Sequence, residues 1–228
     1  MKYICIVLFI VFCFILAFSS DDGLISLNND EHFRFIDYSY GDWIYYIVNE
    51  PPDSGLGYPP QVVEGKFISM GEVLDPEDFG FQYGRVAISK VSCWYQTCAG
   101  DVMVHISNTD IWRKPYSIDS MNYHEYFTGG PYRPAENRWY DINIGEKVII
   151  TGPVIVHFQN YTNNKEYYLG FDEDTQGPWY GWAYHSDDGK WFSTKEWGYK
   201  GDLFIKAYCE TVSEIIPTSF GIIKATFK

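Results

Sequence analysis

Residues 198–210 read Gly-Tyr-Lys-Gly-Asp-Leu-Phe-Ile-Lys-Ala-Tyr-Cys-Glu, and from Leu203 onward they alternate with a period of two. Leu203, Ile205, Ala207 and Cys209 fall on one side; Phe204, Lys206 and Tyr208 fall on the other. Successive side chains of a strand point to opposite faces, so this spacing predicts a strand with an aliphatic core side. The same pattern recurs upstream. Val102, Val104 and Ile106 alternate with Met103 and His105. Val154, Val156 and Phe158 alternate with Ile155, His157 and Gln159, and Tyr167, Leu169 and Phe171 with Tyr168 and Gly170.

Further strands are expected over Phe33–Val48 (kinked at Gly41), Val62–Met70, Arg85–Tyr95, Asp101–Ser107 and Trp139–Ile144. Trp179–His185 and Trp191–Thr194 flank Ser186-Asp187-Asp188-Gly189-Lys190, where Asp-Gly is a strong hairpin turn. Residues 51–60 hold four prolines and two glycines and read as a loop. Lys114–Pro134 lacks a pattern and reads as a long connection between sheets. About ten strands without βαβ alternation predict an all-β fold, an antiparallel two-sheet sandwich of jelly-roll type.

The N-terminus carries Lys2, an unbroken apolar run from Ile4 to Phe18, and small residues Ala17 and Ser19 at the −3 and −1 places of a cleavage site. A spanning helix needs roughly 20 apolar residues. The expectation is a removed signal peptide over 1–19, hence a secreted or cell-surface protein. It is followed by a flexible segment over 20–31, a sandwich over 32–211 and a tail over 212–228. Membrane contact is expected only through the signal or the tail. The net charge of −13 repels phosphate backbones, so nucleic acid is excluded as a partner.

Cys93 and Cys98 bracket four residues, a spacing that predicts a disulfide across a hairpin turn outside the cytoplasm. Cys209 reads as a buried free thiol. No GxSxG elbow, P-loop or zincin motif is present, and the chain is expected not to be an enzyme. His105 and His157 lie mid-strand, opposite the aliphatic residues, and read as solvent-side histidines able to meet across a sheet.

Asp172, Asp174 and Gln176, with Gly177, match the first half of a calcium loop. Ala183 stands where an EF-hand places its bidentate Glu, so only a looser calcium site remains, completed by a carboxylate such as Asp202. The plainer alternative is a polar loop. Trp179, Trp197 and Tyr199 are the aromatic candidates for ligand binding, because flat exposed rings stack on sugar faces. Tyr180, Trp182 and Tyr184 share one strand face and read as core rings. Asn160-Tyr161-Thr162 is a glycosylation sequon and marks a surface loop.

The stretches ISKVSCWYQTCAGDVMVHI (88–106), RWYDINIGEKVIITGPVIVHF (138–158), YYLGFDEDTQGPWYGWAYHSDDGKW (167–191) and GYKGDLFIKAYCE (198–210) resemble a jelly-roll domain of secreted bacterial and archaeal proteins. That domain sits beside extracellular proteases or ahead of C-terminal sorting segments. The ending PTSFGIIKATFK (217–228) is similar to short tails of Trp-Gly-x-Ile-Lys type, with Phe220 in the Trp place. The resemblance implies a non-catalytic accessory domain. The expected function is a secreted β-sandwich acting at the cell surface or in the matrix, with a glycan or a cell-surface protein as partner. The alternatives are an adhesive structural protein without a small ligand, or an extracellular hydrolase with dispersed carboxylates.

Overall fold

The computed structural model describes residues 41–58, 68–161, 165–173 and 179–212. The expected signal peptide, the 20–31 segment and tail residues 213–228 lie outside the described residues. In chain order the strands are β1 (Gly41–Ile44), β2 (Ser54–Tyr58), β3 (Ile68–Leu74), β4 (Val86–Cys98), β5 (Val102–Asn108), β6 (Glu125–Tyr132) and β7 (Trp139–Ile150). There follow β8 (Val154–Asn160), β9 (Tyr167–Asp172), β10 (Gly181–His185), β11 (Lys190–Ser193), β12 (Asp202–Leu203) and β13 (Ile205–Thr211).

They form two antiparallel sheets. One has the order β1-β13-β4-β9-β12, with β2 added on β9 and β7 on β4; the other runs β11-β10-β3-β8-β5-β6. This is the all-β sandwich that the alternation predicts. The aliphatic sides meet between the sheets: Val91, Ile142, Leu203, Ile205 and Ala207 face Val102, Val104, Ile106, Val156 and Phe158 in one buried cluster. Each such side chain contributes roughly 1.5–3 kcal/mol on burial. Leu203, Ile205, Ala207 and Cys209 are all buried as the opening pattern requires, and Lys206 and Tyr208 stay half-exposed; Phe204, expected on the outer side with them, is instead fully buried at the break between β12 and β13.

Several elements depart from expectation. Residues 54–58 form β2 on β9 instead of a loop. Gly57 permits this pairing: a Cβ there would lie 1.8 Å from the Tyr167 carbonyl oxygen. The glycines that read as breakers are what lets the strand approach. The unpatterned stretch after Lys114 contains β6, paired to β5, and β7 runs to Ile150, well past Ile144.

The expected Cys93–Cys98 disulfide is corrected to two free thiols. Both cysteines lie on β4, and the chain leaves that strand only after Cys98, crossing to β5 in the other sheet. Strand residues rise about 3.3 Å each, so an ideal strand sets the two about 16 Å apart, beyond bridging reach. Burial pushes the thiols of Cys98 and Cys209 up to about 12 and holds that of Cys93 well above its usual value, which keeps all three protonated at neutral pH.

Candidate functional site

The outer side of the seven-stranded sheet is a grid fixed by strand register. In one row Trp43 of β1 lies beside Tyr208 of β13, then Lys90 of β4 and Asn143 of β7. The next row is Lys206, Ser92 and Asp141. In the third, the Trp94 amide donates to the Phe204 carbonyl, and Trp94 pairs with Trp139. These are the residues left over when Val91, Cys93, Ile142, Ile205 and Ala207 turn inward.

The side chains interlock. The Lys206 ammonium lies 3.9 Å from the ring centre of Trp139 and 4.7 Å from that of Trp43, a cation held between two indoles. Lys90 sits 5.4 Å over Tyr208, whose ring meets Trp43 edge-on at 5.5 Å. Trp94 meets Trp139 nearly perpendicularly at 5.9 Å, and Trp139 stacks on Phe204 at 5.7 Å. The Trp139 indole N–H donates to Glu50 Oε1 at 2.9 Å, and Ser92 Oγ donates to Asp141 Oδ1 at 2.6 Å. Burial lowers the Lys206 pKa, while Glu50 and Asp141 oppose the shift. Rings that lie in fixed positions among acids, amides and ammonium groups match the demands of a sugar: apolar C–H faces to stack and hydroxyls to bond.

The outer side of the six-stranded sheet is roofed instead. Residues 109–124 fold across it: the Trp191 indole N–H donates to the Tyr116 carbonyl at 3.1 Å, and Ser117 Oγ donates to the Gly189 carbonyl at 2.8 Å. Ile118 then packs on Val73, Ile155, Tyr184 and Trp191, a second small core. His157 lies in it, fully buried. Its ring stacks on His105 at 4.7 Å and meets Trp191 edge-on at 5.0 Å. Its Nδ1 is 3.2 Å from Ser69 Oγ, and its Nε2 has no partner. Desolvation, then the neighbouring His105, lowers its pKa well below the usual value. The two histidines do meet across the sheet, but His157 is not on a solvent side. His105 Nδ1 lies 2.6 Å from Glu125 Oε1 and its Nε2 2.9 Å from Gln159 Oε1.

The three aromatic candidates gather around the 3-10 turn Thr194–Trp197. Trp197 and Tyr199 are 41% and 47% exposed. Trp197 stacks on Phe192 at 5.7 Å and meets Tyr58 edge-on at 6.2 Å. Tyr199 meets Phe171 at 6.3 Å; burial, and after it electrostatic repulsion from Tyr199, raises the pKa of the Tyr58 phenol. Trp179 is half-buried, with the Lys195 ammonium 5.3 Å over its ring.

Of the calcium candidates, Asp174 and Gln176 lie outside the described residues. Asp172 is buried opposite Asp202 in the β9–β12 ladder, and its Oδ2 accepts from the Val48 and Asn49 amides at 2.6 and 3.1 Å. Among the described residues no three His, Cys, Asp or Glu side chains converge as a metal requires. A buried carboxyl adjoins Asp202: Glu72 Oε2 accepts from the Leu203 amide at 2.9 Å, and desolvation, then Asp202, raises its pKa well above the usual range.

Trp43, Trp94, Trp139 and Lys206 were not singled out from sequence. Their signal was present as the off-face partners of each aliphatic alternation. Their adjacency depends on registers linking residues more than 160 positions apart.

The fold and this face define a two-sheet β-sandwich with one aromatic side that no described residue roofs. No protein-family profile matches the chain, and no curated protein matches it in sequence. Two solved structures are similar in fold. One holds the cysteine protease and lectin-like domains of Cwp84, a surface-layer-associated protein of Clostridium difficile: TM-score 0.55, 10% identity, covering 76% of this chain and 36% of that one. The other is the clostridial cysteine protease Cwp84 after propeptide cleavage: TM-score 0.52, 10% identity, covering 76% and 40%. The chain thus spans well under half the length of either neighbour.

Proposed function

We propose that this chain is an extracellular, non-catalytic recognition module that binds carbohydrate on the outer face of its seven-stranded sheet. The observation that carries this is the Trp43–Lys206–Trp139 clamp with Trp94 beside it. These rings lie outside the inter-sheet core, with no roof over them among the described residues, and Asp141, Asn143 and Lys90 stand exposed among them to meet hydroxyls. The apolar N-terminal run supports secretion, and a fold neighbour contains a lectin-like domain.

The test is a glycan array with polysaccharide pull-down on the secreted chain. Trp43→Ala and Trp139→Ala should each weaken retention about tenfold or more, the equivalent of losing one buried aromatic contact. A second reading places the ligand at Trp197 and Tyr199, favoured by their exposure. Loss of binding in Trp197→Ala with Trp139→Ala unaffected would move the site there.

A further inference from the structure

The β5–β6 connection presents an apolar tip. Ile111 and Trp112 are 84% and 82% exposed. The turn beneath them is fully tied. Asp110 Oδ1 accepts from the Trp112 and Lys114 amides, both at 2.8 Å, and the Arg113 amide donates to the Asp110 carbonyl at 3.0 Å. Arg113 has a φ of 63°, a left-handed conformation costly for a side chain with a Cβ. It is held there by its guanidinium, which pairs with Asp75 at 2.6 Å and Asp78 at 2.7 Å and bonds to the Tyr180 hydroxyl. Such anchoring fixes two water-facing apolar side chains before any partner arrives, which lowers the entropic cost of binding.

A groove of about 590 Å³ opens between β6 and β7, the outermost strands on one side of each sheet. Its apolar lining includes Tyr126, Phe127, Val148 and Ile149, and the exposed Glu146 stands beside them. Lys114, also exposed, flanks the tip. Glu125 and Lys147 also line the groove but are paired, with His105 and Glu210, as Arg113 of the tip is with Asp75 and Asp78; among the described residues Glu146 and Lys114 are left as opposite charges beside an apolar groove and an apolar tip. Arg113 draws the tip toward residues bordering β3 and β10, three strands from β6 in the sheet order.

We propose that the occupant of the groove is the Ile111–Trp112 tip of a second copy of this chain. The contact is head-to-tail: one copy of a pair keeps its groove free and the other its tip, so association proceeds as an open chain. The interface is small, and the −13 charge on every copy opposes it, so it forms only at high protein concentration.

Sedimentation velocity on the secreted chain, up to about 1 mM, tests this in the range where small interfaces associate. The wild type should show a concentration-dependent rise in sedimentation coefficient. Trp112→Ser and Ile149→Asp should each weaken association at least tenfold while leaving the circular dichroism spectrum unchanged. An equimolar mixture of the two should recover dimers and nothing larger, because each variant retains one intact half. Should Ile149→Asp unfold, Lys114→Glu and Glu146→Lys replace the pair: each alone weakens association and their mixture restores it. A wild type that stays monomeric throughout, a variant that associates like the wild type, or a mixture no better than its parts would overturn the proposal.

Discussion

The two sheets carry similar outward residues and meet opposite fates. On the six-stranded sheet Tyr184, Trp191 and His157 disappear beneath residues 109–124 and become a second core. On the seven-stranded sheet Trp43, Trp94, Trp139 and Lys206 stay half-exposed and pack on one another and on Tyr208 and Phe204. Apolar area on the first face is already spent on folding. On the second, among the described residues, it stays open.

The sharpest break in this comparison is energetic. Trp191→Ala removes a buried ring and should cost about 3–5 kcal/mol. Trp43→Ala should cost well under half as much, since its ring keeps access to water. Urea denaturation of both variants decides it; equal losses would mean that the open face is structural.

Gly57→Ala comes next. Its new Cβ meets the Tyr167 carbonyl at 1.8 Å, so β2 must shift off β9, at a cost of about 1–3 kcal/mol. A variant as stable as wild type would show that β2 contributes nothing.

Acid should act on the roofed face. The depressed pKa of His157 means that its contribution is present above pH 6.5 and lost as pH falls below it, because burial favours the neutral ring. His157→Phe should therefore flatten the fall in melting temperature between pH 6.5 and 5. An unchanged slope would place the acid sensitivity elsewhere.

Glu72 has the reverse sign. Its raised pKa makes its contribution complete below pH 4.5 and lost as pH rises, since ionisation beside Asp202 is unfavourable. Glu72→Gln should raise the melting temperature at pH 7, with the gain shrinking toward pH 4. A destabilised Gln variant at pH 7 would show that the carboxylate is charged and compensated.

How far sequence alone reached differs by region. β8, β9, β13 and the β10–β11 hairpin announce themselves through alternation and an Asp-Gly turn, which are local properties. β2 and β6 did not, because glycine-rich strands read as loops until the partner backbone beside them is known. The cysteines misled because a four-residue interval fits a turn as readily as it fits the interior of β4. Tyr180, Trp182 and Tyr184 shared a face as expected, yet whether that face was inter-sheet core, roofed or open depended on residues 109–124 packing over it. The grid around Lys206 joins β1, β4, β7 and β13, and no window of sequence contains that register.

Intrinsic fluorescence titration with an array-positive glycan shows whether the open aromatic face holds a carbohydrate. A saturable tryptophan signal is expected in wild type and in Trp197→Ala. In Trp139→Ala the apparent Kd should rise about tenfold or more with stability nearly unchanged. Undiminished affinity in Trp139→Ala and Trp43→Ala, in chains shown to be folded, would contradict it.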